Sequence, residues 1–524
     1  MTRWMALSAL LWVTLGCSAR NLAPPLAESA PAIAPEPLPE REAEPKTHRT
    51  VAAPPPIRAN NPVLWVSLAS HLGGLESSPP LKLSSAGPDP LVLRDAVGAD
   101  WSGSSFQLHW RRVPLDQPLT LARQVAGPFA SFESAERAAQ RWRAFGVPAE
   151  VAHPKEWEVW APAGAPAPEA LKTYRWSRQL NATLEPVLET ADGPVVLKGP
   201  LKLQAADGLR WKGGLFQGPF RLQRDAYESW TLVEQVPVDR YLEGVVPHEI
   251  GAGSPTNALQ AQTVLARTWA LANSHRFRID GYHLCSDTQC QVYSDPRQAG
   301  SAVREAIAAT SGQLLSWERQ PISAVYHASN GGVMAAGPEA WSMDPQPYLK
   351  AEADGDESWR RRHGLPLKAR GAVAALLADG EGAYGRYHPR FRWSRSLRAA
   401  ELRQALGEQG LALQAPLQLA VLERGASGRV LSLKVSGAGD AAPVVLRLDQ
   451  IRRTLRTLPS TLFVIDSMGS QEWIVRGGGF GHGAGLSQAG AIDLAGRGWS
   501  VERILGHYYP GAVYGPLPQS VESP

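Results

Sequence analysis

Short apolar runs broken by Gly, Pro and Ser clusters fill the stretch from Asn61 to Leu121 and predict a series of short strands, the first of them Asn61 to Ser70. The pattern then lengthens. From Gln124 to Gly146 it predicts a strand, a helix capped near Ser131 or Ser134 and a glycine stop, with two more strands at Val147–Val151 and Glu156–Ala161. Alternation such as Leu201-Lys-Leu-Gln and Gly218-Pro-Phe-Arg-Leu-Gln, punctuated by Asp192-Gly193, Asp207-Gly208 and Gly213-Gly214, predicts antiparallel hairpins from Asn181 to Glu234. Helical spacing takes over in Asn257 to Leu271, where Ala258, Ala261, Leu265, Thr268 and Trp269 recur; Ser254 is placed to cap this helix and Pro255 to open it. Its small residues Ala258, Ala261 and Ala266 let it lie close to a neighbouring backbone. Gly371 to Asp379 and Leu397 to Gln409 read as further helices, separated by a loop that includes Phe391 to Ser394. The fold class is therefore α+β and multidomain: a small accessory α+β region over residues 63–180, then a C-terminal mixed α/β domain with antiparallel strands over residues 181–515.

Composition alters this picture mainly at the N-terminus. Residues 1–19 hold an early positive charge at Arg3, the apolar run Trp4 to Leu15 and the small residues Gly16, Cys17, Ser18 and Ala19, the pattern of an export signal. Leu15-Gly16-Cys17 resembles a lipobox that would lipidate Cys17, although Thr14 stands where an aliphatic residue is usual; plain cleavage after Ala19 is the alternative. Residues 20–62 crowd Ala, Pro and Glu and read as a tether. An exported, membrane-anchored protein facing the periplasm or cell surface is expected. A chain of 524 residues that is 44% hydrophobic can bury a sizeable core, and a net charge of +4 gives no dense basic tract for nucleic acid.

The ordered motifs lie between Val236 and Ala491: Val236-Pro237, Tyr241-Leu-Glu-Gly-Val-Val246, Glu249, Ala258-Leu-Gln-Ala-Gln262, Ala266-Arg-Thr268, Cys285-Ser-Asp-Thr-Gln-Cys-Gln-Val-Tyr293, Tyr326-His-Ala-Ser-Asn-Gly-Gly332, Tyr348-Leu349, and the glycine-rich run Gly477 to Ala491. In these the chain closely resembles the stage II sporulation protein D family and the related amidase-enhancer proteins. The resemblance implies a peptidoglycan lytic transglycosylase with Glu249 as its acid and base, acting on glycan strands stripped of their peptides. One carboxyl suffices for that reaction: it protonates the glycosidic oxygen, then takes the proton of the muramic acid hydroxyl that closes the 1,6-anhydro ring. Burial among Val245, Val246 and Ile250 is expected to raise its pKa. If Tyr241 to Glu249 is helical, Glu243 lies about 120° around from Glu249 and could not share its cleft. The alternative reading is a noncatalytic peptidoglycan-binding enhancer of a cell-wall amidase. A third, a muramidase using water, needs a second carboxylate, for which Asp239, Asp287 and Asp295 are the nearby candidates.

Tyr241, His327, Ser329, His482, Ser487 and Gln488 are the candidate substrate contacts, with Trp341 and Tyr348 as possible stacking surfaces. For Ser487 the competing role is capping the helix Gln488 to Leu494, and Tyr241 competes as a packing residue. The glycine run lacks the lysine of a nucleotide loop and instead permits close backbone approach to a sugar chain. Cys285 and Cys290, with His283 nearby, are read as a disulfide in preference to zinc, because Gln289 stands where metal-binding relatives carry His, with free thiols as a third reading; no cofactor is called for, zinc being the alternative. Residues 122–162, through Gly127-Pro128-Phe129, Ala135, Ala138 and Trp157, resemble a SPOR-type module that binds peptide-free glycan, with an ordinary α+β accessory domain as the alternative.

Overall fold

The computed structural model describes residues 45–58, 62–169, 171–467 and 471–516. The export signal, Cys17 and the tether up to residue 44 lie outside the described residues. Residues 45–58 do not behave as a tether. Arg49 makes two 2.9 Å hydrogen bonds to the Glu228 carboxylate, His48 meets Glu150 at 2.7 Å, and Lys46 bridges to Leu121, so this stretch is held to the body.

Residues on the two sides of position 181 build the same sheets. One seven-stranded sheet runs in the order Leu284–Cys285, Val63–Leu72, Trp230–Pro237, Phe220–Arg224, Leu201–Ala205, Leu91–Arg94 and Asp100–Gly103. The expected boundary between an accessory region and a following domain therefore corresponds to no gap in the sheet. Strand pairing between distant segments overrides it, and a local reading cannot see such pairing.

The strands expected before Leu121 also differ from those found. Ser105–Phe129 is one strand of 25 residues, paired with Thr173–Thr190 from Leu108 opposite Leu188 to Ala126 opposite Thr173. The turn-like residues Asp116, Gln117 and Pro118 fall in a register shift between Pro114 and Leu119, where a bulge absorbs them without reversing the chain. Helix α1, Phe132–Arg143, follows as predicted, with the Ser131 hydroxyl accepting from the Ser134 N–H at 3.3 Å, and then come the strands Glu150–Ala152 and Trp157–Pro162.

Trp230–Pro237 leads directly into helix α2, Val238–Glu249. Helix α3, Thr256–Ala272, is buried on nearly every side, and Ala258, Ala261 and Ala266 are each 0% exposed. A helix buried on all sides belongs in a core, and its polar side chains Gln262, Thr263, Arg267 and Thr268 are buried with it. Ser254 does not cap it: Pro255 takes the N-cap position, and the Ser254 hydroxyl donates back to the Ile250 carbonyl at 2.8 Å. Arg267, from the Ala266-Arg-Thr268 motif, ties α3 to Asp239 of α2 at 3.0 Å and to the Thr310 carbonyl at 2.8 Å.

A second, separate core gathers Trp393, Leu433, Ile451 and Trp473. Here Phe391 to Ser394 is not a loop, because Arg392–Arg398 is a strand paired along its length with Glu472–Gly478. The helix expected over Leu397 to Gln409 is broken into Ala399–Ala405 and Gly407–Leu411, where Gly407 has a φ of 60°. Among the described residues no helix is long and apolar enough to cross a membrane.

Candidate active site

Glu249 is the last residue of α2, so the helix delivers its carboxyl at a C-terminus, where the backbone dipole disfavours negative charge. Gly244 sets how closely α2 approaches the next segment: a Cβ there would lie 2.5 Å from the Ser294 carbonyl oxygen and 2.5 Å from the Tyr293 ring. That segment carries the loop closed by Cys285 and Cys290, which are joined as a disulfide with Cα atoms 5.7 Å apart. Cys285 itself sits in the strand that runs parallel to Val63–Leu72, with Ser67 opposite Cys285. The loop is thus anchored at the sheet, and Val292, two residues beyond Cys290, reaches Glu249.

The Tyr326 hydroxyl, the Val292 N–H and the Gln488 amide face the Glu249 carboxyl and favour its charged form. A chain of polar groups stands behind it. Tyr241 donates to the Gln291 side-chain oxygen at 3.1 Å, the Gln291 amide donates to the Tyr326 hydroxyl at 2.9 Å, and the Gln488 amide also reaches Gln262 at 3.3 Å. Tyr326 and Gln488 converge because Tyr326–His327 pairs in parallel with Leu486–Ser487. Burial pushes the Glu249 carboxyl up to about 7, against the opposing hydrogen bonds from Tyr326, Val292 and Gln488. Glu243 points elsewhere and pairs with Arg240.

A cavity of about 470 Å³ opens at Glu249 and is lined also by Trp269, Tyr326, Trp341, Asp449 and His482. Among the sequence-nominated contacts, His482 lines this cavity with Glu249, and Gln488 reaches the carboxyl itself. The His482 ring is fixed as the Nε2–H tautomer: Nε2 donates to the Tyr326 carbonyl at 2.8 Å and Nδ1 accepts from the Ala484 N–H at 3.2 Å. Burial, with the Arg452 charge second, pulls its pKa down to about 3, so the ring is neutral near neutral pH.

The others are drawn into the protein. Tyr241 is 0% exposed and acts on Glu249 only through Gln291 and Tyr326. His327 is buried, its Nδ1 donating to the Ala484 carbonyl at 3.2 Å, and Ser329 is buried against Phe480. Ser487 caps the helix Gln488–Gly496 by accepting from the Gly490 N–H at 3.2 Å. Tyr348 is a core residue, whereas Trp341 reaches the cavity. The glycine run serves protein packing: a Cβ on Gly481 would lie 2.7 Å from the His327 Cβ, and one on Gly485 would lie 2.1 Å from the Val325 carbonyl oxygen.

Sequence reasoning missed part of this site. Tyr326 and Gln291 were visible only as members of motifs. None of Asp239, Asp287 and Asp295 lines the cavity; the acids that do, besides Glu249, are Glu133 from α1 and Asp449 from the helix Asp449–Thr454. Glu133 pairs with Arg276, and burial pushes Asp449 up to about 6.

Residues 226–317 match the family model described as stage II sporulation protein, and residues 335–485 match a domain of unknown function (DUF8618). The stage II sporulation protein D of Bacillus amyloliquefaciens is 29% identical over 302 residues, covering 53% of this chain and 74% of that protein. An uncharacterized protein of Brachyspira hyodysenteriae is 24% identical over 331 residues, covering 62% of this chain and 75% of the relative. The amidase enhancer of Bacillus subtilis is 27% identical over 297 residues, covering 52% of this chain and 39% of the enhancer.

Proposed function

Because the chain belongs to the stage II sporulation protein D and amidase-enhancer family, we propose that it works on the bacterial cell wall as a lytic transglycosylase, with Glu249 as acid and base. The observation that carries this reading is a partly buried carboxyl, held up at about 7 by desolvation, at the end of a cavity. Near neutral pH such a group is divided between its two protonation states, which suits a residue that must first give a proton and then take one.

In the first step Glu249 gives its proton to the glycosidic oxygen between N-acetylmuramic acid and N-acetylglucosamine, and the bond to the leaving sugar breaks. In the second the carboxylate accepts the proton of the muramic acid 6-hydroxyl as that oxygen closes the anhydro ring. Tyr326, Val292 and Gln488 donate to the carboxylate between the steps, and the neutral His482 ring holds the Tyr326 backbone in place. The reading includes export by residues 1–19, an N-terminal membrane anchor, and peptide-free glycan as the preferred strand.

A noncatalytic role as partner of a wall amidase is the second reading, supported by the similarity to the amidase enhancer. Mass spectrometry of peptidoglycan, intact and peptide-free, separates the two. Anhydro-muramic ends made by the wild type and absent with Glu249→Gln support the transglycosylase. Reducing ends in their place would mean hydrolysis, and no cleavage of either substrate would favour the enhancer.

A further inference from the structure

A second cavity, of about 880 Å³, adjoins the Glu249 pocket: Thr288, Gln289, Arg452 and Arg453 line both. Five arginines surround it, Arg390, Arg395, Arg452, Arg453 and Arg456, against one acid, Glu156. Among the described residues, only Arg453 of the five has a carboxylate within ion-pair range, Asp449 at 3.9 Å. Arg390 lies over the Phe480 ring at 4.1 Å, and the Arg452 Nε is buried with no partner.

Like charges crowded at one surface repel, and among the described residues four of these guanidinium groups have no carboxylate within ion-pair range. All five fall within the stretch that matches a domain of unknown function. They come from the helix Asp449–Thr454 with the turn after it, and from the strand Arg392–Arg398 with the residue segment before it. The opposite lining comes from Pro128 to Ala130 and from the disulfide loop, so three distant parts of the chain meet around this one cavity.

We propose that residues 390–456 build an oxyanion subsite next to the reaction centre, which takes carboxylate groups carried along the glycan strand several atoms away from the bond that Glu249 cleaves. This rests on the glycan reading of the Glu249 pocket. Guanidinium groups recognise carboxylates by paired hydrogen bonds, and a row of them would fix the register of a strand that carries a charge at regular intervals. Two sources offer the same chemistry: the lactyl carboxylates of peptide-free strands, and the terminal carboxylates of stem peptides still attached.

The test measures binding by the cleavage-inactive Glu249→Gln protein, so turnover plays no part. The probes are peptide-free strands, the same strands with their carboxylates converted to neutral methylamides, and solubilised strands with intact stems. Neutralising the carboxylates is expected to weaken binding by about tenfold or more. Adding Arg390→Gln and Arg456→Gln, both at exposed positions, should weaken binding of charged strands by about fivefold to tenfold and leave the methylamide strands unchanged. Binding of charged strands should also fall as salt rises.

If intact-stem strands bind best and lose most when the arginines are replaced, the subsite reads stem carboxylates; if peptide-free strands do, it reads lactyl carboxylates. Equal affinity for native and methylamide strands, or an arginine effect that is the same on both, would overturn the subsite while leaving the Glu249 reading intact. No binding to any strand would overturn both. Charge-dependent binding by Glu249→Gln, together with no anhydro products from the wild type on any of these strands, would overturn the transglycosylase reading alone.

Discussion

The wall that carries Glu249 and the wall that carries Arg452 and Arg453 border the same cavity but are built in opposite ways. On the first, Tyr241, Gln291 and Tyr326 are joined by hydrogen bonds and, with Gln488, stand against one carboxyl. On the second, exposed Arg453 stands 3.9 Å from Asp449, and half-buried Arg452 has no carboxylate within ion-pair range among the described residues. A group meant to react must be held and tuned before substrate arrives, whereas a group meant to select can leave its counter-charge to the ligand. In the proposed reading, chemistry falls to the wall of Glu249 and recognition to the wall of arginines.

The sharpest way to break that division is Glu249→Gln, which should lower cleavage by about a thousandfold or more with strand binding retained, as read by product analysis and a binding isotherm. The same substitution should reveal the cost of tuning. A carboxyl whose pKa is raised on folding favours its protonated form, so its destabilising effect is absent below about pH 4, grows as pH rises and is complete above about 7. Denaturant titrations should therefore find Glu249→Gln more stable than wild type at pH 8, by at most about 3 kcal/mol, and nearly equal to it at pH 4.

Replacing Cys285 and Cys290 by Ser should cost about 2 kcal/mol of stability from the opened loop and lower turnover, because Val292 is no longer held against Glu249. Unchanged turnover in a folded double variant would show that the loop is not what holds the carboxyl. Tyr326→Phe should have the smallest effect, about tenfold on turnover. It removes a donor that favours the carboxylate, so the alkaline limb of the pH profile should move upward. A downward shift would contradict the hydrogen-bond assignment.

How much of this was legible beforehand depended on how local each signal was. The α1 cap at Ser131 and the pairing of Cys285 with Cys290 involve residues close together in sequence, and each can be read there, whereas the helix that ends at Glu249 entered only as a condition on the placement of Glu243. Desolvation of Glu249 was foreseeable from Val245 and Val246. The long strand Ser105–Phe129 was hidden because Pro114 and Pro118 look like turn residues until a partner strand turns them into a bulge. Tyr326 was hidden for another reason, since its closeness to Glu249 depends on pairing with Leu486, far along the chain. The same holds for Asp449 and the arginines, which come from a separately cored insertion whose docking no periodicity reports. His327 and Ser329 were expected in the groove because a turn with a glycine pair looks exposed, yet the glycine run packs directly over them.

The position of Val63–Leu72, between Leu284–Cys285 on one side and Trp230–Pro237 on the other, bears on the order in which the molecule can come into being. As the chain is synthesised, this strand emerges long before either neighbour exists, and both its edges stay open until the segment that ends in Glu249 and the disulfide segment have followed. A protein so arranged cannot finish its reactive part early and fold the rest at leisure. Its first strand is a keystone set last, and the sheet that carries α2 closes around it only once the chain has been made as far as Cys285.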